Sequence, residues 1–253
     1  MFNAYVLHYI LYRETSLIVK FFTKEHGIVN LVAHGAKRKK SQIGTILQPF
    51  VPLLIYWKNL SLDLATLHKV EATGAPHRLS GICLFGSLYI NELLLKLLAT
   101  HDPHAELFNV YQRFLENLSN INKSSTDQTD QLLTENKQKK IFLEKNLRFI
   151  EKQILKTIGY ELQLDRESQT GDAIDHNAQY DFDFEDGLIL QKLSSFKETN
   201  NVTKAKISGK SLLALHNDNF TNAIEMQEAK LFMRKIIANF LGDQLLATRK
   251  LFV

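Results

Sequence analysis

The chain is short of cysteine: Cys83 is the only one in 253 residues. A single thiol excludes an intramolecular disulfide framework and a four-cysteine zinc site, and it suits a reducing compartment. Long apolar runs are missing too, since no uninterrupted stretch reaches the roughly 20 residues that a membrane-spanning helix requires. The opening MFNAYVLHYILYRET lacks the basic start, long apolar core and small-residue cleavage site of a signal peptide, so a cytoplasmic protein without a membrane role is expected. Catalytic signatures are also absent: there is no Gly-x-Ser-x-Gly, no Walker loop and no His-Glu-x-x-His. The nine histidines are scattered without ligand spacing, and His8, His26 and His34 read as strand or turn residues. Cys83 has no activating neighbour in sequence and falls on an apolar helical face, as a buried structural thiol does. A protein that is not an enzyme, with no cofactor and no ATP site, is the expectation. No repeat of about 20–50 residues is visible.

What is present is ordinary in amount and uneven in placement. Apolar residues make up 45% and charged residues 23% of the chain, as in a globular protein. The net charge is +4, but residues 1–80 hold ten Lys and Arg against four Asp and Glu, a local net of +6. The remaining 173 residues therefore sum to −2. The N-terminal third is where an anionic partner belongs. Its densest point is Lys37-Arg38-Lys39-Lys40, between a β-branched run ending at Gly35 and an apolar run entered through Pro49. Cations that neutralise phosphates release condensed counterions, which gives affinity without sequence preference and a steep dependence on salt. The competing reading of such a run is a solvated hairpin tip. Arg13 at a turn, and Lys20 and Lys24 along the same segment, are secondary candidates. Tyr12, Phe21, Phe22, Tyr56 and Trp57 are candidate base-stacking residues; aromatics in short strands are mostly core, so at least three of the five are expected there.

Short apolar segments punctuated by turns run from Ala4 to Val70. Strands are expected at Ala4–Leu11, Leu17–Thr23, Ile28–Val32, Phe50–Trp57 and Leu62–Val70, which together predict a small barrel or sandwich, and an OB-type barrel would place the tetrad in an inter-strand loop. The character changes near Pro76. Helical spacing predicts helices over Leu79–Thr100, His104–Leu118 and Ile141–Ile158, the last stopped by Gly159. Asp102-Pro103 separates the first two. Ser119–Lys140 is polar and reads as a mobile connection with helical portions near its end. Tyr160–Asn201 is the least helical stretch, and its acidic alternation over Asp181–Asp186 predicts a hairpin. Ser208 caps a short helix through His216, Asn222–Leu241 is a long amphipathic helix ended by Gly242, and Leu245–Val253 is a final short helix. The fold class expected is α+β multidomain: a five-stranded OB-type β-barrel over residues 1–78, then an all-helical C-terminal domain over residues 79–253.

Several segments, taken together, resemble the bacterial recombination mediator family RecO. They are Glu14-Thr15-Ser16-Leu17, Thr23-Lys24-Glu25-His26-Gly27, Val32-Ala33-His34-Gly35-Ala36-Lys37 and Gly44-Thr45-Ile46-Leu47-Gln48-Pro49-Phe50. In the second half, Leu88-Tyr89-Ile90-Asn91-Glu92-Leu93-Leu94 and the ending from Leu241 to Arg249 also fit. The resemblance spans nearly the whole chain in order. It implies an OB-fold N-terminal domain and a protein that binds single- and double-stranded DNA and anneals complementary strands. It also implies joint work with RecR to load RecA onto DNA coated by single-strand-binding protein (SSB), in a cytoplasmic, nucleoid-associated setting.

The resemblance further implies a helical-domain site for the C-terminal tail of SSB, an acidic peptide ending in an apolar residue and a carboxylate. Such a peptide wants an apolar pocket with a cation at its rim. Arg148 lies near the expected position, with Lys152 and Arg113 as alternates; the competing reading pairs Arg148 with Glu144 or Glu151 one turn away. Many family members carry a four-cysteine zinc site after the Gly-Tyr pair. Here Gly159-Tyr160 is followed by Asp165, His176, Asp181 and Asp183 without a cysteine, so no metal is expected. A protein-interaction scaffold, or an RNA-binding OB protein, is the alternative that charge alone leaves open.

Overall fold

The computed structural model describes residues 1–58, 64–123, 131–191 and 205–252. The chain forms two compact units, Met1–Asp130 with Leu246–Val253, and Gln131–Leu245. In the first, strands β1 (Phe2–Tyr12), β2 (Ser16–Thr23), β3 (Gly27–Ala33), β4 (Leu53–Trp57) and β5 (Ala65–Ala72) close a barrel in the order β1-β2-β3-β5-β4. Every pairing is antiparallel except β3 with β5, which meet in parallel at Leu31↔Ala65 and Val32↔Thr66. This is the expected OB-type barrel. Its interior is filled by Val6, Val19, Phe21, Val29, Leu31, Leu53 and Ile55, each no more than 1% exposed. Burying side chains of this size stabilises the unit by about 1.5–3 kcal/mol apiece. β4 starts at Leu53 rather than Phe50 because Phe50 takes a left-handed φ of 66° and Pro52 has no N–H to give to a ladder.

An irregularity in β1 opens one end of the barrel wall. The register with β2 shifts between Val6 and His8. Ahead of the shift Ala4 and Val6 enter the core; beyond it Tyr9 stands opposite Val19 and Leu11 opposite Leu17, while His8 and Ile10 stand opposite Lys20 and Ile18. Such bulges bend a strand and re-aim its side chains. β4 pairs only with Phe2–Ala4. From His8 to Tyr12, β1 therefore has β2 as its one ladder partner among the described residues.

Helices α1 (Gln42–Ile46), α2 (Gly81–Leu97) and α3 (Ala105–Lys123) complete this unit. The outward rings of Tyr5 and Phe22 meet Phe108 and Tyr111 of α3 at centroid distances of 5.3–5.9 Å. Asn91 on α2 donates to the Leu7 carbonyl at the bulge (3.1 Å) and accepts from the Tyr111 hydroxyl (2.6 Å). Burial pushes the Tyr111 phenol well up, so it remains a donor.

At the far end of the chain, the 3-10 turn Ala247–Phe252 returns to α2. Glu92 accepts from the N–H groups of Ala247 (2.8 Å) and Thr248 (2.9 Å) and from the Thr248 hydroxyl (2.6 Å). Burial alone would raise the Glu92 carboxyl. The hydrogen bonds from Thr248 and Ala247, with Lys96 nearby, outweigh it and hold the group below its ordinary value. A depressed carboxyl stabilises above its unfolded pKa, about 4.3, and that contribution is lost as pH falls through the folded value. Protection of the Ala247 and Thr248 amides from hydrogen exchange should therefore fall as acid is added below about pH 4, and in Glu92→Ala it should be low throughout.

The second unit holds α4 (Gln131–Thr157), β6 (Gln179–Asp183), β7 (Gly187–Leu190), β8 (Ala205–Ser208), α5 (Gly209–His216) and α6 (Ala223–Leu241). The strands form a small antiparallel sheet, β7-β6-β8. Phe182 of β6 meets Phe232 of α6 edge-on at 5.5 Å. Ser208 Oγ caps α5 through the Ser211 N–H, and Asn222 Oδ1 caps α6 through Ile224 and Glu225. The hairpin expected near Asp181–Asp186 is present and gains a third strand, β8, whose four residues are too few to mark a period. Helix α3 runs on to Lys123 and α4 starts at Gln131, ten residues before Ile141. The part of the expected connection at 124–130 lies outside the described residues. Gln, Lys and Glu are good helix formers, so a polar stretch is no barrier to a solvated helix. Among the described residues no helix is long and apolar enough to cross a membrane.

Candidate nucleic-acid interface

The tetrad sits on a loop whose backbone is held at both ends. β3 ends at Ala33, and Gly35 takes the left-handed φ of 69° that turns the chain. The Arg38 N–H then donates to Gly35 O (3.1 Å) and the Ser41 N–H to Arg38 O (2.9 Å). The Lys37 N–H donates to Thr15 O at 3.0 Å, tying the loop to the β1–β2 turn. Ser41 Oγ accepts from the Gly44 N–H (3.2 Å) at the start of α1, and Leu47, fully buried, pins the far end in the barrel core. Gly44 is required for close approach: a Cβ there would lie 2.0 Å from the Ala36 carbonyl oxygen. Gly44→Ala should therefore displace Ala36 and the tetrad after it, lowering barrel stability by about 2 kcal/mol. A thermal melt of the variant, followed at Trp57, measures this.

On this anchored backbone the side chains of Lys37, Arg38, Lys39 and Lys40 are all exposed, and none makes an ion pair or side-chain hydrogen bond among the described residues. Arg13 joins them. It sits in the β1–β2 turn with φ 53°, its guanidinium 5.1 Å from the Tyr12 ring, two residues from the carbonyl that receives Lys37. Lys20 lies partway along β2 opposite His8. Lys24 is beyond the other end of β2, bonded through its backbone to Asn3 O, roughly 24 Å from the tetrad by strand rise. Of the seven cations, five come together, Lys20 is adjacent and Lys24 is apart.

Of the five candidate stacking aromatics, Phe21, Phe22 and Trp57 are buried at 3% exposure or less. Tyr56 is exposed beside His68, and Tyr12 is half-buried under Arg13. The exposed residues that strand alternation did not bring out are Tyr9, Ile10 and Leu11, because the bulge that leaves them open has no sequence mark.

In the second unit, Arg148 is 2% exposed. Its guanidinium takes Glu151 in a bidentate pair (2.7 and 2.6 Å) and Glu144 at 3.2 Å. Lys152 Nζ bonds the Leu215 carbonyl (2.5 Å) and pairs with Asp218 (2.8 Å) at the end of α5. Arg113, on α3 of the first unit, is exposed. A cavity of about 520 Å³ in the second unit is lined by Ile141, Phe220 and Met226, with Lys137, Lys140 and Lys230 at its edge. Lys230 is held by Glu144 (2.5 Å), so the Arg148 network ends at this cavity. Lys137 and Lys140 belong to the stretch whose polarity predicts a connection rather than a helix. Among the described residues no three His, Cys, Asp or Glu side chains are placed to hold a metal ion. Cys83 is buried in α2, so the family's four-cysteine zinc site does not fit this chain.

These features define an OB-barrel protein with an anchored cationic loop and a following helical region. Comparison with known proteins supplies the family. The model for the recombination protein O N-terminal domain matches residues 1–76. The DNA repair protein RecO of Methylococcus capsulatus is 38% identical over 250 residues, covering 99% of this chain and 91% of that protein. Those of Actinobacillus pleuropneumoniae (36% over 250 residues, 99% and 93%) and Nitrosospira multiformis (35% over 248 residues, 98% and 92%) are similar over the same span. The chain belongs to the RecO family of DNA repair proteins.

Proposed function

We propose that this chain is a DNA repair and recombination mediator that binds single- and double-stranded DNA without sequence preference. It anneals complementary strands and, with RecR, helps load RecA onto SSB-coated DNA. The observation that carries the reading is the set of free cations on an anchored loop, beside Arg13 and on an OB barrel. Phosphate contacts of this kind position a backbone without reading bases. Bringing two strands together requires chiefly that their mutual repulsion be screened, which fixed cations do without a nucleophile or ATP. Purified protein should accelerate annealing of complementary oligonucleotides in the absence of nucleotide, and lose that effect at high salt. An unchanged annealing rate would refute the reading.

The acidic tail of SSB is assigned to the cavity between α4 and the start of α6. Ile141, Phe220 and Met226 offer an apolar floor for the terminal side chain. Lys137 and Lys140, exposed and unpaired among the described residues, offer partners for the carboxylate. Arg148 serves here as a positioning residue, since it holds Glu144, which holds Lys230; Lys152 and Arg113 lie outside the lining. Lys137→Ala with Lys140→Ala should weaken binding of a labelled acidic peptide ending in Phe about tenfold. Amidating the peptide terminus should do the same to the parent protein. Equal affinity in both experiments would refute the assignment.

A further inference from the structure

The second unit holds another cavity, of about 540 Å³, bordered by the turn Glu167–Asp172, the segment Asp175–Tyr180 and the end of β7. It shares no lining residue with the cavity assigned to the acidic tail. Glu167, Asp172 and Asp175 bring three carboxylates to its lining, and no Lys, Arg or His joins them. The adjacent Arg166 is engaged elsewhere, with Asp165 (3.7 Å) and the Gly171 carbonyl (3.3 Å). A lining of this sign repels a phosphate backbone, so the cavity is no part of the DNA interface.

The local sequence builds the wall. Gly171 takes a left-handed φ of 76°, its N–H returns to the Glu167 carbonyl (3.0 Å), and the Glu167 N–H donates to Asp172 O (2.8 Å). The turn so closed folds over the Glu167 side chain, whose Oε2 accepts from the N–H groups of Gln169 (3.0 Å) and Thr170 (2.5 Å). Glu167 is 4% exposed, and its other oxygen, Oε1, is buried with no hydrogen-bond partner. Buried polar atoms are rarely left so, because the missing bond is not repaid by water. Asp175 Oδ1 accepts from the Asn177 N–H (2.9 Å), and the Asp172 carboxylate has no partner among the described residues.

These carboxylates do not converge on a point: among the described residues no three such side chains are placed to hold a metal ion. The occupant that answers them is a cation with several donors spread in a plane. A guanidinium carries five N–H donors in a fixed fork, whereas an ammonium is a compact point charge. The aliphatic stem behind it finds Leu190 in the lining. We infer that this cavity is a docking site for an arginine side chain on a basic segment of a partner protein. Glu167 Oε1 takes one guanidinium N–H, and Asp172 and Asp175 take others. The second unit thereby has a cavity for a partner segment of each sign.

The test is a two-dimensional amide NMR titration of the full chain with the peptide acetyl-Gly-Arg-Gly-amide. Saturable shifts are expected at Thr170, Ala173, Asn177 and Ala178. A peptide with citrulline for arginine keeps the shape without the charge, and should bind about tenfold more weakly. Asp172→Asn with Asp175→Asn should weaken the arginine peptide about tenfold as well. Asparagine keeps an acceptor for the Asn177 N–H, so the segment stays folded. Glu185→Gln, an exposed acid outside the lining, should leave the affinity unchanged. Equal binding of the arginine and citrulline peptides, an undiminished double variant, or no shifts at these amides overturns the inference. None of these outcomes bears on DNA binding by the barrel.

Discussion

Replacing Lys37, Arg38, Lys39 and Lys40 together by alanine is expected to weaken single-stranded DNA binding by about 600-fold near 0.1 M salt, and almost equally for every sequence. The magnitude comes from counterion release. Each phosphate contact to a single strand contributes about 0.7 to the log–log salt slope, so four amount to nearly three decades between about 1 M and 0.1 M. The loop's path depends on Gly35, Ser41, Gly44 and backbone hydrogen bonds, not on the four exposed side chains. The variant should therefore melt like the parent protein, and the loss can be read as a binding effect. On duplex, where each contact contributes about 0.9 to the slope, the loss should be somewhat larger.

The second large effect is on stability. Arg148→Ala should destabilise the second unit by about 3–5 kcal/mol, because it removes the bidentate guanidinium from the buried Glu151 and one of the two cations on Glu144, which keeps Lys230. Removing the whole set is a different experiment. A combined Glu144, Arg148 and Glu151 replacement by apolar residues of similar size should recover much of the loss, since desolvation of the charges then disappears with them. Thermal or urea unfolding of the two variants separates these outcomes. A single variant as stable as the parent would mean that Arg148 is not the structural tie its contacts describe. Because Lys230 is held through Glu144, Arg148→Ala should also weaken the acidic peptide under conditions where the unit is still folded.

The barrel was legible in the sequence because its strands are short apolar runs rich in Val, Ile, Leu and Phe, buried at most positions in β2 and β3, and its turns carry Gly27 and Gly35. The motif residues that carry the family resemblance prove to be the ones with structural reasons. Gly27, with φ 62°, lies against the Asp102 backbone, and Gly44 lies against Ala36. Glu92 and Thr248, in two segments far apart in sequence, are hydrogen-bonded to each other. What the sequence hid has a common physical cause. A β-bulge leaves no compositional trace, so the exposure of Tyr9–Leu11 could not be read from alternation. The first ten residues of α4 carry only Leu132 and Leu133 among polar neighbours and lack the apolar stripe by which helices are recognised, so Lys137 and Lys140 were not placed at a cavity edge. For Arg148, the i−4 and i+3 carboxylates named its partners, but not that the trio is buried. Burial comes from how this face of α4, where Leu143, Leu147 and Ile150 are buried too, packs within the unit.

The central claim, that the anchored loop binds DNA through its phosphates, is tested most directly by a salt titration of oligo-dT binding run in parallel on the parent protein and the Lys37–Lys40 alanine variant. The account predicts linear log–log plots, with the variant's slope shallower by about 2–3. Parallel plots with the same slope and affinity would contradict it.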